Sequence, residues 1–153
     1  WASAGAAAKP ILFTNIQTSP QTFADQTNPT VVWNTPTINR LGTWTGSSTY
    51  KWQPSVAGVY FVKANLHVRS NGVDHLISLD CSIYKNAGII AATKFDSRNA
   101  GQCYQMTSTS SVLIAMDGTS SDFLWVEAYV DTDDGSAAIV LNGNFMSWLI
   151  EAV

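Results

Sequence analysis

The sequence predicts an all-β fold, and three observations carry that expectation. Only two Glu and five Lys stand against 31 Ser and Thr, ten Asn and ten Gly among 153 residues, so most strong polar helix formers are missing. Apolar residues recur with a period of two, in short runs punctuated by Gly, Pro and Asn. Six Trp, five Tyr and six Phe supply aromatic rings that pack well on pleated surfaces and also dominate subunit contacts. Hydrophobic residues make up 46% of the chain and charged residues 12%, which gives one domain enough apolar material for a core and too little charge for disorder.

The charge balance, 8 basic against 11 acidic residues and a net −3, leaves no cationic footprint for nucleic acid. No apolar run approaches the roughly 18 residues needed to cross a bilayer. Neither nucleic acid nor membrane insertion is expected. The chain opens at Trp1 without a signal-like stretch and reads as an excerpted or processed segment. Residues 1–9, with five Ala, read as a linker or the end of an upstream stalk, and residues 10–153 as a globular head.

Along that head, residues 10–16 alternate as a strand, and the Thr/Asn/Gln/Pro-rich residues 17–29 read as loop. Short strands follow at residues 31–34, 38–44 and 50–53, separated by Thr35-Pro36 and Gly46-Ser47-Ser48. The clearest strand runs from Gly58 to Ser70, with Tyr60, Val62, Ala64, Leu66 and Val68 on a core face and Lys63, Asn65, His67 and Arg69 on a wet one. Asn71-Gly72 signals a hairpin into a strand whose core face is Ile77, Leu79, Cys81 and Ile83. Asn86-Ala87-Gly88 turns into residues 89–95, and residues 104–116 and 123–130 follow around Asp117-Gly118. Asp134-Gly135 and Asn142-Gly143 mark the last turns. The closing segment, residues 144–153, sets Phe145 and Leu149 opposite Met146, Trp148 and Ile150. A strand apolar on both faces is expected to be central and covered twice, by its own core and by something else. The tally is about ten short strands, at the spacing of a sandwich.

Val32-Trp33-Asn34, Val56-Ala57-Gly58-Val59-Tyr60-Phe61-Val62, Ile83-Tyr84-Lys85-Asn86-Ala87-Gly88, residues 112–118 with Phe123-Leu124-Trp125-Val126, and the closing residues 144–150, taken in this order, resemble the globular head of complement C1q and the tumour necrosis factor (TNF) superfamily. Thr119 stands where that family usually has Asp, and Ser147 or Trp148 near its usual closing Gly. The resemblance implies a ten-stranded C1q/TNF-like jelly-roll sandwich that assembles as a homotrimer, often on a fibrous stalk. Tyr60, Tyr129, Phe145 and Trp148 are the candidates for the trimer interface. The Ser/Thr/Asn-rich loops, the Ala-rich lead-in and the absence of an initiator Met look like the receptor-binding tip of a bacteriophage tail or head fibre, placed on the virion surface. A fibre-capping trimerisation module and a secreted, extracellular complement-like recognition domain are the alternatives.

No catalytic constellation stands out. His67 and His75 are the two histidines, no Gly-x-Ser-x-Gly elbow is present, and the expectation is a protein without enzymatic activity or a required cofactor. Trp44, Tyr50 and Trp52, set among small polar residues, suit either subunit packing or stacking on the glycan of a host cell-surface receptor. Asp131, Asp133 and Asp134 form an acidic turn that is either a solvated hairpin or a calcium site lacking the distal Glu of an EF-hand. Cys81 and Cys103 could be bonded to each other or be buried thiols.

Overall fold

A computed structural model of the protein describes residues 9–16, 21–46, 49–71, 75–98 and 103–153. Among them are eleven strands: β1 (Leu12–Asn15), β2 (Gln21–Phe23), β3 (Ile38–Asn39), β4 (Gly42–Thr45), β5 (Lys51–Pro54), β6 (Gly58–Ser70), β7 (Leu76–Lys85), β8 (Gly88–Asp96), β9 (Gln105–Met116), β10 (Leu124–Thr132) and β11 (Ala138–Ala152). They form two sheets. One has the order β3-β1-β11-β6-β9, with β2 added on the far end of β11; the other has the order β4-β5-β10-β7-β8.

The alternation read from the sequence decides which face of each strand meets the other sheet. On β6, Tyr60, Val62, Ala64, Leu66 and Val68 are fully buried, and opposite them β10 contributes Leu124, Val126, Ala128 and Val130. Large aromatics fill part of the layer between the sheets. Trp33 stacks on Phe145 at 6.0 Å, and Trp52 meets Tyr60 edge-on at 5.8 Å. The Tyr60 hydroxyl donates to the Val56 carbonyl at 2.6 Å and Trp52 Nε1 donates to Asn39 Oδ1 at 3.2 Å, so both polar tips are satisfied inside.

The two flanks of the sandwich are built differently. At one, the chain itself crosses from β3 to β4 through Leu41, held at φ 55°. At the other, β8 and β9 are both edge strands. There the small inward residues of β9 bring the layers together: the hydroxyls of Ser108 and Ser110 donate to the carbonyls of Thr93 and Cys81 in the opposite sheet.

Several expectations are corrected. Residues 17–29 are not all loop, because Gln21–Phe23 forms β2 against Ala138, Ile139 and Val140, driven by burial of Phe23. Residues 31–34 make only isolated bridges, although Val31 and Trp33 are buried in alternation; Pro29 and Pro36 bracket them and remove donors a ladder would need. Residues 38–44 are two strands in different sheets, split at Leu41. Asn142-Gly143 is not a turn. It is a bulge inside β11, where the register shifts between Val140 and Asn142 and a Cβ on Gly143 would lie 2.5 Å from the Asn65 carbonyl. On β7 a bulge puts Leu76 and Ser78 inside in place of Ile77. The turn at Asn71-Gly72, the Gly46-Ser47-Ser48 break and residues 1–8 of the linker fall wholly or partly outside the described residues. Cys81 and Cys103 are free thiols, and burial pushes Cys81 up to about 12.

One corner depends on a buried carboxylate. Asp122, 7% exposed, accepts from the Asp117 N–H at 2.8 Å, from Asn86 Nδ2 at 3.0 Å and from Lys85 Nζ at 2.9 Å. Burial alone would raise its pKa, but these donors outweigh it and hold the carboxyl below the ordinary 3.8. A depressed folded pKa means the stabilisation is complete above the unfolded value and fades as pH falls through the folded one. Asp122→Ala is therefore expected to cost about 2–3 kcal/mol at pH 6, and the deficit relative to the parent chain should shrink at pH 3. Urea unfolding at the two pH values checks this; a deficit of equal size at both would contradict it.

Candidate functional site

Because the strand period is two, each sheet also presents an outward face, and recognition chemistry has to be found there. On the six-stranded sheet that face is divided. Toward the Ala152 end of β11, one rung aligns Trp148, Phe61 and Leu113, and the next aligns Ile38, Phe13 and Met146 before it turns polar at Lys63 and Ser111. Phe61 and Trp148 rings lie 5.6 Å apart, Leu113 is 63% exposed and Ile150 57% exposed. Toward the Ala138 end the same face is polar: Asn65, His67 and Arg69 on β6 stand beside Gln105, Thr107 and Thr109 on β9. His67 Nε2 pairs with Gln105 Oε1 at 3.1 Å, and Asn142 Nδ2 pairs with His67 Nδ1 at 3.3 Å. An amide NH2 can only donate, so the two contacts together require the tautomer with the proton on Nε2.

The β8–β9 flank adds a second apolar surface. On strand β8, Ile90 and Ala91 pack partly against the core; Phe95, opposite the buried Leu79, is on the inward face yet 46% exposed, and Ile89, opposite Tyr84, lies on the outer face of the sheet, 57% exposed. An uncovered, apolar edge strand is a feature that native chains otherwise protect.

The five-stranded sheet turns a ladder of rings outward. Tyr84 stacks on Trp125 at 4.9 Å, Phe123 stacks on Trp125 at 5.4 Å, and Lys51 Nζ sits 4.0 Å over the Phe123 ring. Trp125 Nε1 donates to Glu127 at 3.1 Å. Burial and the neighbouring Glu127 carboxylate push the Tyr84 phenol up to about 12. The ring faces are occupied by one another and by Lys51, which makes this cluster a structural brace on the sheet.

The residues singled out in the sequence do not converge. Trp52 is fully buried beneath Tyr60 and cannot touch a receptor, and Tyr60 and Phe145 are fully buried within the protomer and cannot line an interface. Both corrections have one cause, the inward phase of their strands; Lys51 and Gln53 flanking Trp52 were the available signal. Trp44 and Tyr50 pack partly against the core. Trp148 lies on the outer face of the six-stranded sheet, whereas Tyr129 lies on the other sheet, under Lys94 at 5.6 Å. The three turn carboxylates face different partners: Asp131 accepts from Gln26, Asp133 from His75, and Asp134 from the Ser136 N–H. Among the described residues no group of three or more His, Cys, Asp or Glu is placed to hold a metal ion. Missed from the sequence were Phe61 and Leu113, apolar residues on otherwise polar faces.

Two substitutions separate core from surface. Trp52→Ala should lose about 3–5 kcal/mol, and Lys51→Met, which removes only the cation over the rings, about 1 kcal/mol. Denaturant unfolding of the two variants checks the order; similar losses would mean that Trp52 is not a core residue.

No family model matches the chain, and no curated protein matches it. Among solved structures 205 chains are similar. One is the structure of Eiger TNF from S. frugiperda, with a TM-score of 0.56 and 15% identity over 95% of this chain and 96% of that one. At that identity the likeness speaks for the fold alone, and together with the two-sheet topology it establishes a TNF-like jelly roll.

Proposed function

We propose that the chain is a non-enzymatic homotrimeric head that binds a receptor on a cell surface, as the tip of a bacteriophage fibre. The observation that carries the assembly is the presence of two different uncovered apolar surfaces on one protomer: the Trp148/Phe61/Leu113 end of the six-stranded sheet and the open β8–β9 flank with Phe95. Two unlike patches support head-to-tail contacts, which close into a ring rather than a two-fold dimer. The resemblance to C1q and TNF heads favours three copies. Three identical sites on one rigid trimer gain strength through effective concentration, so no single loop needs a strong binding motif. The fibre setting is favoured by the Ser/Thr/Asn-rich loops and the Ala-rich lead-in.

Light scattering should return the mass of three 16.5 kDa chains. Leu113→Asp or Trp148→Asp should reduce it to one chain with the β-sheet circular dichroism retained, because burying an unpaired carboxylate in an apolar contact is prohibitive. A monomeric parent chain would overturn the assembly. A trimer that binds no cells, and only restores assembly of a fibre, would replace the receptor role with that of a trimerisation cap.

A further inference from the structure

The end of the sandwich opposite Val153 holds a recess of about 370 Å³ lined by Arg69, Ser70, Tyr104 and Gln105. Its position follows from register. Gly58 pairs with Ala152 and Ser70 with Ala138, while β1 enters beside Ser147, so both described chain ends leave from the far side. The recess is assembled on the last rungs of β6 and β9. Arg69 pairs with Gln105 across the ladder, and the Ser70 N–H donates to the Tyr104 carbonyl at 3.0 Å.

Two of the lining groups are held from behind. Tyr104 meets His75 in a T-shaped contact at 4.8 Å and remains 47% exposed. His75 is in turn fixed by Asp133, whose carboxylate accepts from the His75 N–H at 3.0 Å and pairs with Nδ1 at 2.8 Å. Gln105 commits its Oε1 to His67 at 3.1 Å, which leaves its NH2 group as a donor. Arg69 is exposed and forms no ion pair with any described carboxylate, although the chain has more acidic than basic residues.

We propose that this recess binds the anionic group of an acidic saccharide, a carboxylate or phosphate carried on a sugar ring. The proposal rests on the reading of the chain as a receptor-binding head and names the class of ligand. A guanidinium presents a planar fork of donors that matches two oxygens of a carboxylate or phosphate. The Gln105 amide offers a donor to a sugar hydroxyl, and the Tyr104 ring offers an apolar surface to the sugar's C–H face. The volume lies within the range of small-ligand sites.

The test titrates the full 153-residue chain with glucuronate, glucose 6-phosphate, glucose and inorganic phosphate, followed by backbone amide NMR. The two acidic sugars should shift the Ser70, Tyr104 and Gln105 amides, and the tighter of them assigns carboxylate or phosphate as the source; glucose should not bind. Arg69→Gln should weaken the acidic sugars by about tenfold or more with an unchanged melting temperature, and Arg40→Gln, on the β3–β4 flank, should not. Equal binding of glucose, equal binding of inorganic phosphate, or an affinity indifferent to Arg69→Gln would overturn the proposal. Trimer mass and cell binding are measured on the same samples. A trimer that binds cells but no acidic sugar overturns the recess alone, and acidic-sugar binding by a chain that neither trimerises nor binds cells overturns the head reading alone.

Discussion

The long antiparallel ladder between β6 and β11 is the constraint on which the rest of the structure depends. It runs from Gly58 opposite Ala152 to Ser70 opposite Ala138 and places a thirteen-residue strand beside a fifteen-residue one. Length alone does not break the phase, since β6 pairs with β9 without interruption from Gly58 opposite Met116 to Arg69 opposite Gln105. The β6–β11 ladder carries two bulges, at Val140/Asn142 and Leu149/Glu151. The first resets the phase so that both Val140 and Phe145 point inward, although an unbroken two-residue alternation would set them on opposite faces. Gly143 makes the reset possible by letting β6 approach where a side chain would strike the Asn65 carbonyl.

With β6 and β11 fixed, the outward face of their sheet is fixed too, and its division into apolar and polar ends follows from the sequence order on each strand. Phe61 precedes Lys63, Asn65, His67 and Arg69 on β6, and Trp148 follows Asn142 and Asn144 on β11. Antiparallel pairing brings the two apolar ends together and the two polar ends together. One ladder thereby separates a surface suited to burial from one suited to polar recognition. The open β8–β9 flank adds the second surface, since the small Ser108 and Ser110 close the layers without covering Phe95.

Much of this was legible before any coordinates. Strand β6 has the bounds its alternation predicts, and the turns at Asn86, Gly118 and Gly135 occur where residues tolerant of positive φ stand, at 55°, 71° and 77°. What was not legible is mostly non-local. Leu41 is a poor residue for φ 55°, and it adopts that conformation because β3 and β4 belong to different sheets. Asn142-Gly143 carries the local signature of a turn, yet β11 continues through it because β6 pairs on both sides of the bulge. An aromatic in an alternating run is equally a core ring or an interface ring by composition. Tyr60 and Phe145 are core and Trp148 is surface because of strand phase, which the polar neighbours on each strand encode only faintly.

The candidate site shows the same split between local and assembled information. Arg69 is readable as a wet-face residue of β6, but nothing in its neighbourhood along the chain announces a recess. Its companions arrive from a register of 36 residues' separation, Arg69 opposite Gln105, and the supports behind them from further still: His75 on the lead into β7, Asp133 in the β10–β11 turn, Asn142 at the bulge of β11. The bulge that lets β11 keep its core phase therefore also places Asn142 against His67, and through His67 orients Gln105. Asp133, which the sequence offered as a calcium ligand, instead anchors the ring that backs Tyr104. A carboxylate paired with an imidazole in this way is a positioning group, and its effect on recognition would be exerted through the geometry of Tyr104 rather than through its own charge.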